Sequence, residues 1–346
     1  MNQNSVAMRG PTPPERLVGP DWNDGEAGED GQLFLSIPLS GLRIDTVLHC
    51  DLYVKSGVHR FVKYRDQGEP ITNPVIVRLR EFNHEFLYIP LSKRDEFNRY
   101  IEQVLPDIVR DPNVAVEHKA KLVFHTIGSI IQNVMQSPSS AFLSRAEAVV
   151  DPYIELITSG PEAISSLLTL VSYDYYTYTH SVQVGVFSAA LASRLKINSH
   201  KDMRNLALAS LFHDIGKTFI PNEILMKPRS LSRDEFATVR EHPALGANIV
   251  LHERGNLDEV SLIVRQHHER LDGSGYPDGA KTERIHPLSK IITIADMYDA
   301  LTSRRVYRGG YSPVQALRMV SEHAGEWIDE TVFREFVKLL GTIGPA

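Results

Sequence analysis

The sequence contains a single cysteine, Cys50, among 346 residues. One thiol excludes an internal disulfide and any metal site built from several thiolates. No uninterrupted apolar stretch approaches the roughly 20 residues that a membrane-spanning helix requires. The N-terminal region also lacks the basic cluster and the apolar run of a secretory signal. We therefore expect a cytoplasmic protein with no membrane association.

An excess of positive charge is absent as well. The 37 lysines and arginines are outnumbered by 43 aspartates and glutamates, which gives a formal net charge of -6. This balance argues against nonspecific binding to a nucleic-acid polymer or to an anionic membrane. Histidine, in contrast, is abundant at 14 residues, and the positions of these histidines carry the functional argument.

The N-terminal part of the chain changes character near residue 31. Residues 1–31 hold four prolines, five glycines and six acidic residues but few apolar side chains, which predicts a disordered tail. Residues 32–110 contain short β-branched and aromatic runs followed by a helix after Ser92. We interpret them as a small α/β regulatory or interaction domain. Its predicted strands are Leu33–Ile37, Thr46–Leu48, Phe61–Tyr64, Val75–Val77 and Phe86–Ile89.

From residue 111 onwards the pattern is helical. Residues 111–158 contain two amphipathic stretches, Val114–Val134 and Phe142–Ile157, which we interpret as a helical linker. Their apolar stripes could support a homodimer, although packing against helices of the same chain is the commoner explanation. Residues 159–346 predict a compact helical bundle. The expected fold class is mainly α, with a C-terminal all-helical bundle preceded by a small α/β domain.

His213 and Asp214 lie at the end of a helix that begins with a capping box at Ser199. Imidazole and carboxylate groups together are usual ligands of first-row metals. Surface hydrogen bonding accounts for most isolated His-Asp pairs, so this pair alone predicts little.

The segment from His267 to Pro277 is a stronger signal. It reads His-His-Glu-Arg-Leu-Asp-Gly-Ser-Gly-Tyr-Pro, with two histidines after an apolar segment and a glycine-rich turn directly behind them. Two cationic imidazoles would repel each other, so a buried neutral pair needs acceptors or metals. A polar helix end followed by a loop is the alternative explanation.

Asp296 lies in a segment that is apolar around most of the helix circumference. A buried carboxylate is costly unless it is paired or bound to a metal. A capping role, or an ion pair with Arg304 or Arg305, would also account for it. His180 and His242, taken alone, do not differ from ordinary core or capping histidines.

The joint order of these residues resembles the HD-GYP subfamily of HD-domain phosphodiesterases. A histidine, His-Asp-x-Gly-Lys, another histidine, the His-His to Gly-Tyr-Pro segment and a helical aspartate follow one another between about Asp174 and Arg308. The resemblance implies an HD-type helical bundle. It also implies hydrolysis of cyclic di-GMP to linear pGpG, with pGpG or GMP as the end product.

The same resemblance implies two divalent metal ions that share Asp214 as a bridging ligand. The ligands of the first ion are then His180, His213, Asp214 and Asp296, and those of the second are Asp214, His242, His267 and His268. Nitrogen and carboxylate ligands without thiolates disfavour calcium and magnesium and leave iron, manganese or, as a less favoured metal, zinc. The family resemblance favours iron or manganese. Relatives with a third metal have a glutamate where this chain has Tyr176, so we expect two ions.

By resemblance, Asp214 and Lys217 are the catalytic residues. Lys217 would bind the scissile phosphate or protonate the leaving oxygen, although the dipole also favours a lysine at a helix C-terminus. Tyr276 would stack on the nucleotide or hydrogen-bond to it. Arg305 and Arg308 would bind phosphates and guanines.

Other roles for this region stay open. In the glycine-rich turn, we expect Glu269 to support a histidine ligand and Asp272 to shape the loop. The Gly-Tyr-Pro loop is a candidate contact for a protein partner. A cyclic di-GMP receptor with little turnover and a 3'3'-cyclic GMP-AMP hydrolase are the alternative functions, and a nucleotide phosphohydrolase of HD type is disfavoured by the Gly-Tyr-Pro segment.

Overall fold

A computed structural model describes the chain over most of its length, at residues 25–171, 177–255, 257–303 and 309–342. Contacts between residues group the chain into two compact units, Met1–Phe97 and Asn98–Ala346. In the described ranges, no helix combines the length and the apolarity needed to cross a membrane.

The first unit is built on antiparallel strands. In chain order these are β1 (Glu26–Ala27), β2 (Leu33–Pro38), β3 (Thr46–Val47), β4 (Leu52–Lys55), β5 (Phe61–Arg65), β6 (Pro70–Ile71) and β7 (Phe86–Pro90). Five of them form a sheet with the order β1-β2-β7-β4-β5, and β3 pairs with β6. The small α/β character expected of this region is confirmed.

Two local predictions in the first unit are wrong. Strand β1 lies within the predicted tail 1–31, because Glu26 and Ala27 pair with Phe34 and Leu33 of β2; residues 1–24 lie outside the described residues. Helix α1 (Asn73–Glu81) replaces the strand predicted at Val75–Val77. A proline in its first turn is compatible with a helix start, and burial of Ile76 and Leu79 follows the helical spacing.

The remaining α-helices of the described residues follow in chain order. They are α2 (Arg94–Arg110), α3 (Val116–Gln136), α4 (Ser140–Thr158), α5 (Pro161–Thr169), α6 (Thr177–Arg194), α7 (His200–Phe212), α8 (Asn222–Leu225), α9 (Arg233–Val239), α10 (His242–Glu253), α11 (Asp258–Gln266), α12 (Pro287–Thr302), α13 (Pro313–Ser321) and α14 (Glu330–Thr342).

Helix α6 lies at the centre of the second unit. Every residue from His180 to Ala192 is buried, and α6 packs against α3, α7, α12 and α14. A helix without a polar face has to be surrounded by other elements. The predicted helical bundle is therefore confirmed.

The apolar stripes of α3 and α4 are used within the chain. Their buried faces pack against each other and against α5, α6 and α7, so the two helices of the predicted linker 111–158 belong to the second compact unit. The packing explanation accounts for both stripes. A homodimer through this segment stays a prediction.

A close contact between two glycines joins α10 to the short 3-10 helix at Ile215–Phe219. A Cβ atom on Gly216 would lie 2.0 Å from the carbonyl oxygen of His242 and 2.6 Å from the amide nitrogen of Gly246. Only glycine permits this approach. The contact places the start of α10 beside the His213-Asp214 pair.

Glu147 ties α4 to the rest of the second unit. Its carboxylate is 7% exposed and accepts hydrogen bonds from Arg204 of α7 and from Arg254, which follows α10. We predict that Glu147→Ala lowers the free energy of unfolding by about 1.5–3 kcal/mol, because the charged hydrogen bonds that two arginines donate to this carboxylate are lost. Urea unfolding followed by far-UV circular dichroism measures the change.

The matched control for this prediction is Glu155→Ala on the same helix. Glu155 pairs with Arg110 where both side chains are well exposed, at 41% and 63%, and such a pair contributes at most about 1 kcal/mol. Equal losses in the two variants would contradict a specific role for Glu147.

Candidate metal centre

The seven residues predicted as metal ligands meet in one cluster. Five separate parts of the second unit supply them: α6, the ends of α7 and α11, the start of α10, and α12. Their ligand atoms form three overlapping groups, each within 4.8 Å: His180, His213 and Asp296; His213, Asp214 and His267; His242, His267 and His268.

Three of the imidazoles carry their ring proton on Nδ1. The Nδ1 atoms of His213, His242 and His267 lie 2.7, 2.7 and 2.6 Å from the backbone carbonyl oxygens of the residues three positions earlier. Since a carbonyl oxygen only accepts hydrogen bonds, Nδ1 is the donor in each case. Each neutral ring therefore presents a lone pair on Nε2.

These Nε2 atoms face other acceptors. His242 Nε2 lies 3.2 Å from His267 Nε2 and 3.3 Å from Asp214 Oδ1, and His213 Nε2 lies 3.5 Å from Asp214 Oδ2. Lone pairs brought this close repel each other unless a cation lies among them. Asp214 Oδ1 is buried without a hydrogen-bond partner among the described residues.

Burial keeps the imidazoles in the neutral form. It lowers the pKa of His242 to about 3 and that of His268 to about 4, and it also lowers the pKa values of His213 and His267. At pH 7 these side chains present the unprotonated nitrogen that metal binding requires.

Both carboxylates are ionised. Burial alone would raise the pKa of Asp214, but the Lys217 ammonium holds it well below its usual range. Lys217 Nζ donates a hydrogen bond to Asp214 Oδ2 at 2.6 Å. Burial likewise opposes ionisation of Asp296, and contact with His180 keeps its pKa well below the usual value.

The two oxygens of Asp214 face different halves of the cluster. Oδ1 lies 3.3 Å from His242 Nε2, whereas Oδ2 lies 3.7 Å from His180 Nε2 and 3.5 Å from His213 Nε2. This orientation suits the predicted bridging role. Buried neutral imidazoles, ionised carboxylates and an unsatisfied oxygen together fit divalent metal ions, and the cluster is a candidate site for them.

Asp299 is a site residue that the sequence analysis did not identify. Its carboxylate is 1% exposed, and Oδ2 accepts hydrogen bonds from His180 Nδ1 at 2.6 Å and from the Ser303 hydroxyl at 3.1 Å. The first bond directs His180 Nε2 toward Asp296 Oδ1, 3.1 Å away. Asp296 and Asp299 share one face of an apolar helix because they are three residues apart. This spacing is the sequence pattern from which Asp299 could have been predicted as a site residue.

The Gly-Tyr-Pro loop folds against the histidines. The Tyr276 ring lies 4.8 Å from the His268 ring, centroid to centroid, and the Tyr276 amide donates to the His268 carbonyl at 3.2 Å. A Cβ atom on Gly275 would lie 2.6 Å from that carbonyl oxygen, so only glycine permits the approach. Burial raises the pKa of Tyr276, which stays protonated.

The acidic residues of this loop have structural roles. Glu269 is 2% exposed and accepts hydrogen bonds from the amides of Asp278 and Ala280. Its carboxylate oxygens therefore bind the loop backbone. The sequence-based expectation that Glu269 supports a histidine ligand is wrong. Asp272 accepts from the Ser274 amide at 2.8 Å, as expected for a residue that shapes the loop.

Four residues with sequence-based roles lie outside the described residues. They are Tyr176, Arg304, Arg305 and Arg308. The assignment of Arg305 and Arg308 to substrate stays a prediction.

The part of the chain that holds the cluster is similar to a known protein family and to characterised enzymes. Residues 155–332 match a family model described as HD domain. The chain is 37% identical over 228 residues to the cyclic di-GMP phosphodiesterase PA4108 of Pseudomonas aeruginosa. The aligned residues make up 65% of this chain and 55% of the relative. The chain is also 32% identical over 248 residues to the 3'3'-cGAMP-specific phosphodiesterase 3 of Vibrio cholerae. This alignment makes up 71% of this chain and 50% of that relative. The match thus spans about half the length of these relatives.

A solved structure has the same fold. Bd1817 of Bdellovibrio bacteriovorus, described as an HDG"Y"P protein, is similar with a TM-score of 0.62 at 23% sequence identity, over 89% of this chain and 99% of that one. This likeness agrees with the helical bundle expected for the C-terminal part.

We predict that Asp299→Asn lowers the affinity for Mn²⁺ by about 10- to 100-fold, as is typical when a histidine ligand loses its carboxylate partner. The amide still accepts a hydrogen bond from His180 but no longer carries the charge that strengthens the ligand. Competition with a fluorescent chelator measures the affinity. Ser303→Ala is the control, since it removes the other hydrogen bond to Asp299 and leaves His180 in place. Unchanged affinity in Asp299→Asn would exclude this role.

Proposed function

Because the chain belongs to the HD-domain family, with the motifs of its HD-GYP subfamily, we propose that it is a metal-dependent phosphodiesterase that hydrolyses cyclic di-GMP to linear pGpG, with pGpG or GMP as the end product. The observation that carries the proposal is the buried Asp214 carboxylate with one oxygen toward each half of the histidine cluster. The names of the two relatives agree with cyclic dinucleotide phosphodiesterase chemistry, and that of the Pseudomonas aeruginosa relative agrees with cyclic di-GMP as the substrate.

Two ions, iron or manganese, are the proposed cofactors. The first ion would be held by His180, His213 and Asp296. The second would be held by His242, His267 and His268, and Asp214 would be a ligand of both ions. When bound, such a metal pair supplies Lewis acidity toward the phosphodiester and the attacking water. The neutral nitrogen donors and the absence of thiolates from the predicted ligand set are compatible with either metal.

Lys217 is the proposed proton donor. Its side chain is 21% exposed and its ammonium already lies at Asp214, so it reaches from the buried carboxylate to the solvent side of the cluster. Water attacks phosphorus and keeps one hydrogen on the new phosphate oxygen, the bond from phosphorus to the 3' oxygen breaks, and the ammonium proton passes to that leaving oxygen. The second proton of the water restores the Lys217 ammonium. Before transfer, the same charge attracts the phosphodiester.

Tyr276 is the proposed nucleotide contact on the same side. Its ring packs on His268, and the loop behind it is held by Glu269. A rigid aromatic side chain loses little conformational entropy when a base or a ribose packs on it. Arg305 and Arg308 are proposed to bind the phosphates and guanines. A protein partner at the Gly-Tyr-Pro loop stays a prediction.

A second candidate substrate is 3'3'-cyclic GMP-AMP. It is favoured by the similarity to a Vibrio cholerae enzyme named for that specificity. Both candidates share the phosphodiester chemistry of the proposed site and differ in one purine, so a parallel assay with the two dinucleotides distinguishes them.

We predict that the protein converts cyclic di-GMP to pGpG in the presence of Mn²⁺ or Fe²⁺ and that Asp214→Asn lowers the rate by about three orders of magnitude, because several kcal/mol of charge stabilisation are lost. Anaerobic incubation followed by HPLC of the nucleotides measures both. Metal content determined on the same samples should fall in parallel.

The control for this experiment is Asp202→Asn, a carboxylate in the first turn of α7 far along the helix from Asp214. It should retain the parental rate. A wild-type protein that binds cyclic di-GMP and returns it unchanged would be a receptor, and the hydrolase proposal would then be wrong.

A further inference from the structure

Arg240 lies beside the Gly-Tyr-Pro loop on the exposed side of the cluster. It directly follows α9, and its guanidinium carbon lies 4.8 Å from the centroid of the Tyr276 ring. The side chain is exposed, and no described carboxylate forms an ion pair with it. A guanidinium stacked on an aromatic ring is held in place while its N–H donors remain free for a ligand.

The cluster opens to solvent where Arg240 lies. Among the predicted ligands, His268 has the most exposed side chain, at 27%, whereas those of His180, Asp214 and His242 are each 1% exposed. His268 packs on Tyr276, and Tyr276 packs under Arg240. A ligand that reaches the buried carboxylates from this side therefore passes Tyr276 and comes within reach of Arg240.

Lys217 and Arg240, two cations of the described chain on this side, differ in how their charge is compensated. The ammonium of Lys217 lies 2.6 Å from Asp214, so part of its charge is offset before any ligand arrives. Arg240 has no such partner in the described chain. A cyclic dinucleotide brings two phosphodiester groups, and only one of them can lie at the metal cluster while it is cleaved. The second is open to a cation beside the cluster, and among the described residues Arg240 lies at that place.

We propose that Arg240, oriented by Tyr276, binds the phosphodiester of the substrate that is not being cleaved. The proposal rests on the proposed function, since it deepens the substrate recognition of the same site. The fork of the guanidinium suits two phosphate oxygens at once. Arg240 thereby positions the ring of the dinucleotide and takes no part in bond breaking.

The test compares steady-state kinetics and calorimetric binding of cyclic di-GMP in the full-length Arg240→Gln, Arg240→Lys and parental proteins. Loss of a charge-assisted contact at an exposed site should raise KM and Kd by about tenfold in Arg240→Gln, with kcat nearly unchanged. Arg240→Lys should recover part of the loss because it keeps the charge and loses the fork. Arg233→Gln is the control, as an exposed arginine at the start of α9, the helix that Arg240 follows.

A second dinucleotide separates a phosphate contact from a base contact. The 3'3'-cyclic GMP-AMP molecule keeps both phosphodiesters and replaces one guanine by adenine. Equal losses for the two dinucleotides in Arg240→Gln support a phosphate contact, and a loss confined to cyclic di-GMP would overturn it in favour of a base contact. Unchanged KM and Kd, or a loss confined to kcat, would also overturn the proposal.

The proposed function and this inference fail in different ways. Absence of turnover in the parental protein would refute hydrolysis, whereas the calorimetric Kd values would still report whether Arg240 binds the dinucleotide.

Discussion

The second unit depends on one electrostatic constraint, which is that hydrogen-bond acceptors are packed against one another at its centre. His213, His242 and His267 each use Nδ1 for a backbone carbonyl, so their Nε2 lone pairs face each other and Asp214. Such an arrangement is unfavourable in the protein alone and becomes favourable with cations among the acceptors. Burial and charge act together here, since desolvation keeps the imidazoles neutral while Lys217 helps to keep Asp214 ionised.

The helical packing brings these acceptors together. The fully buried α6 supplies His180 at the centre of the unit, and the contact of Gly216 with Gly246 sets the start of α10 against the end of α7. The glycine in His-Asp-x-Gly-Lys is thus required by packing, and the lysine after it is directed back onto Asp214. Residues in one short motif therefore have separate structural and electrostatic roles.

The sequence was sufficient to predict the residues of the cluster and the helical class of the C-terminal part, because few residue types bind metals and the motif order is specific. Asp299 was missed since its partner His180 lies 119 positions away. Its spacing from Asp296 places both carboxylates on one helix face but does not identify that partner. Helix α1 was taken for a strand because Val75–Val77 is β-branched, although its burial follows a helical period. The apolar stripes of α3 and α4 indicated that these helices pack against something, but not which elements they contact. The fold shows that they pack against helices of their own unit.

The carbonyl oxygens that receive Nδ1 of the three histidines also belong to the final turns of α7, α9 and α11, where backbone acceptors have no partner within the helix. Each imidazole thus terminates a helix on one side of its ring while it offers a lone pair on the other. Exchange of such a histidine for aspartate would keep a potential metal ligand and yet let the helix end fray. Imidazole is therefore required at these positions both to cap the end of a helix and to supply a nitrogen donor.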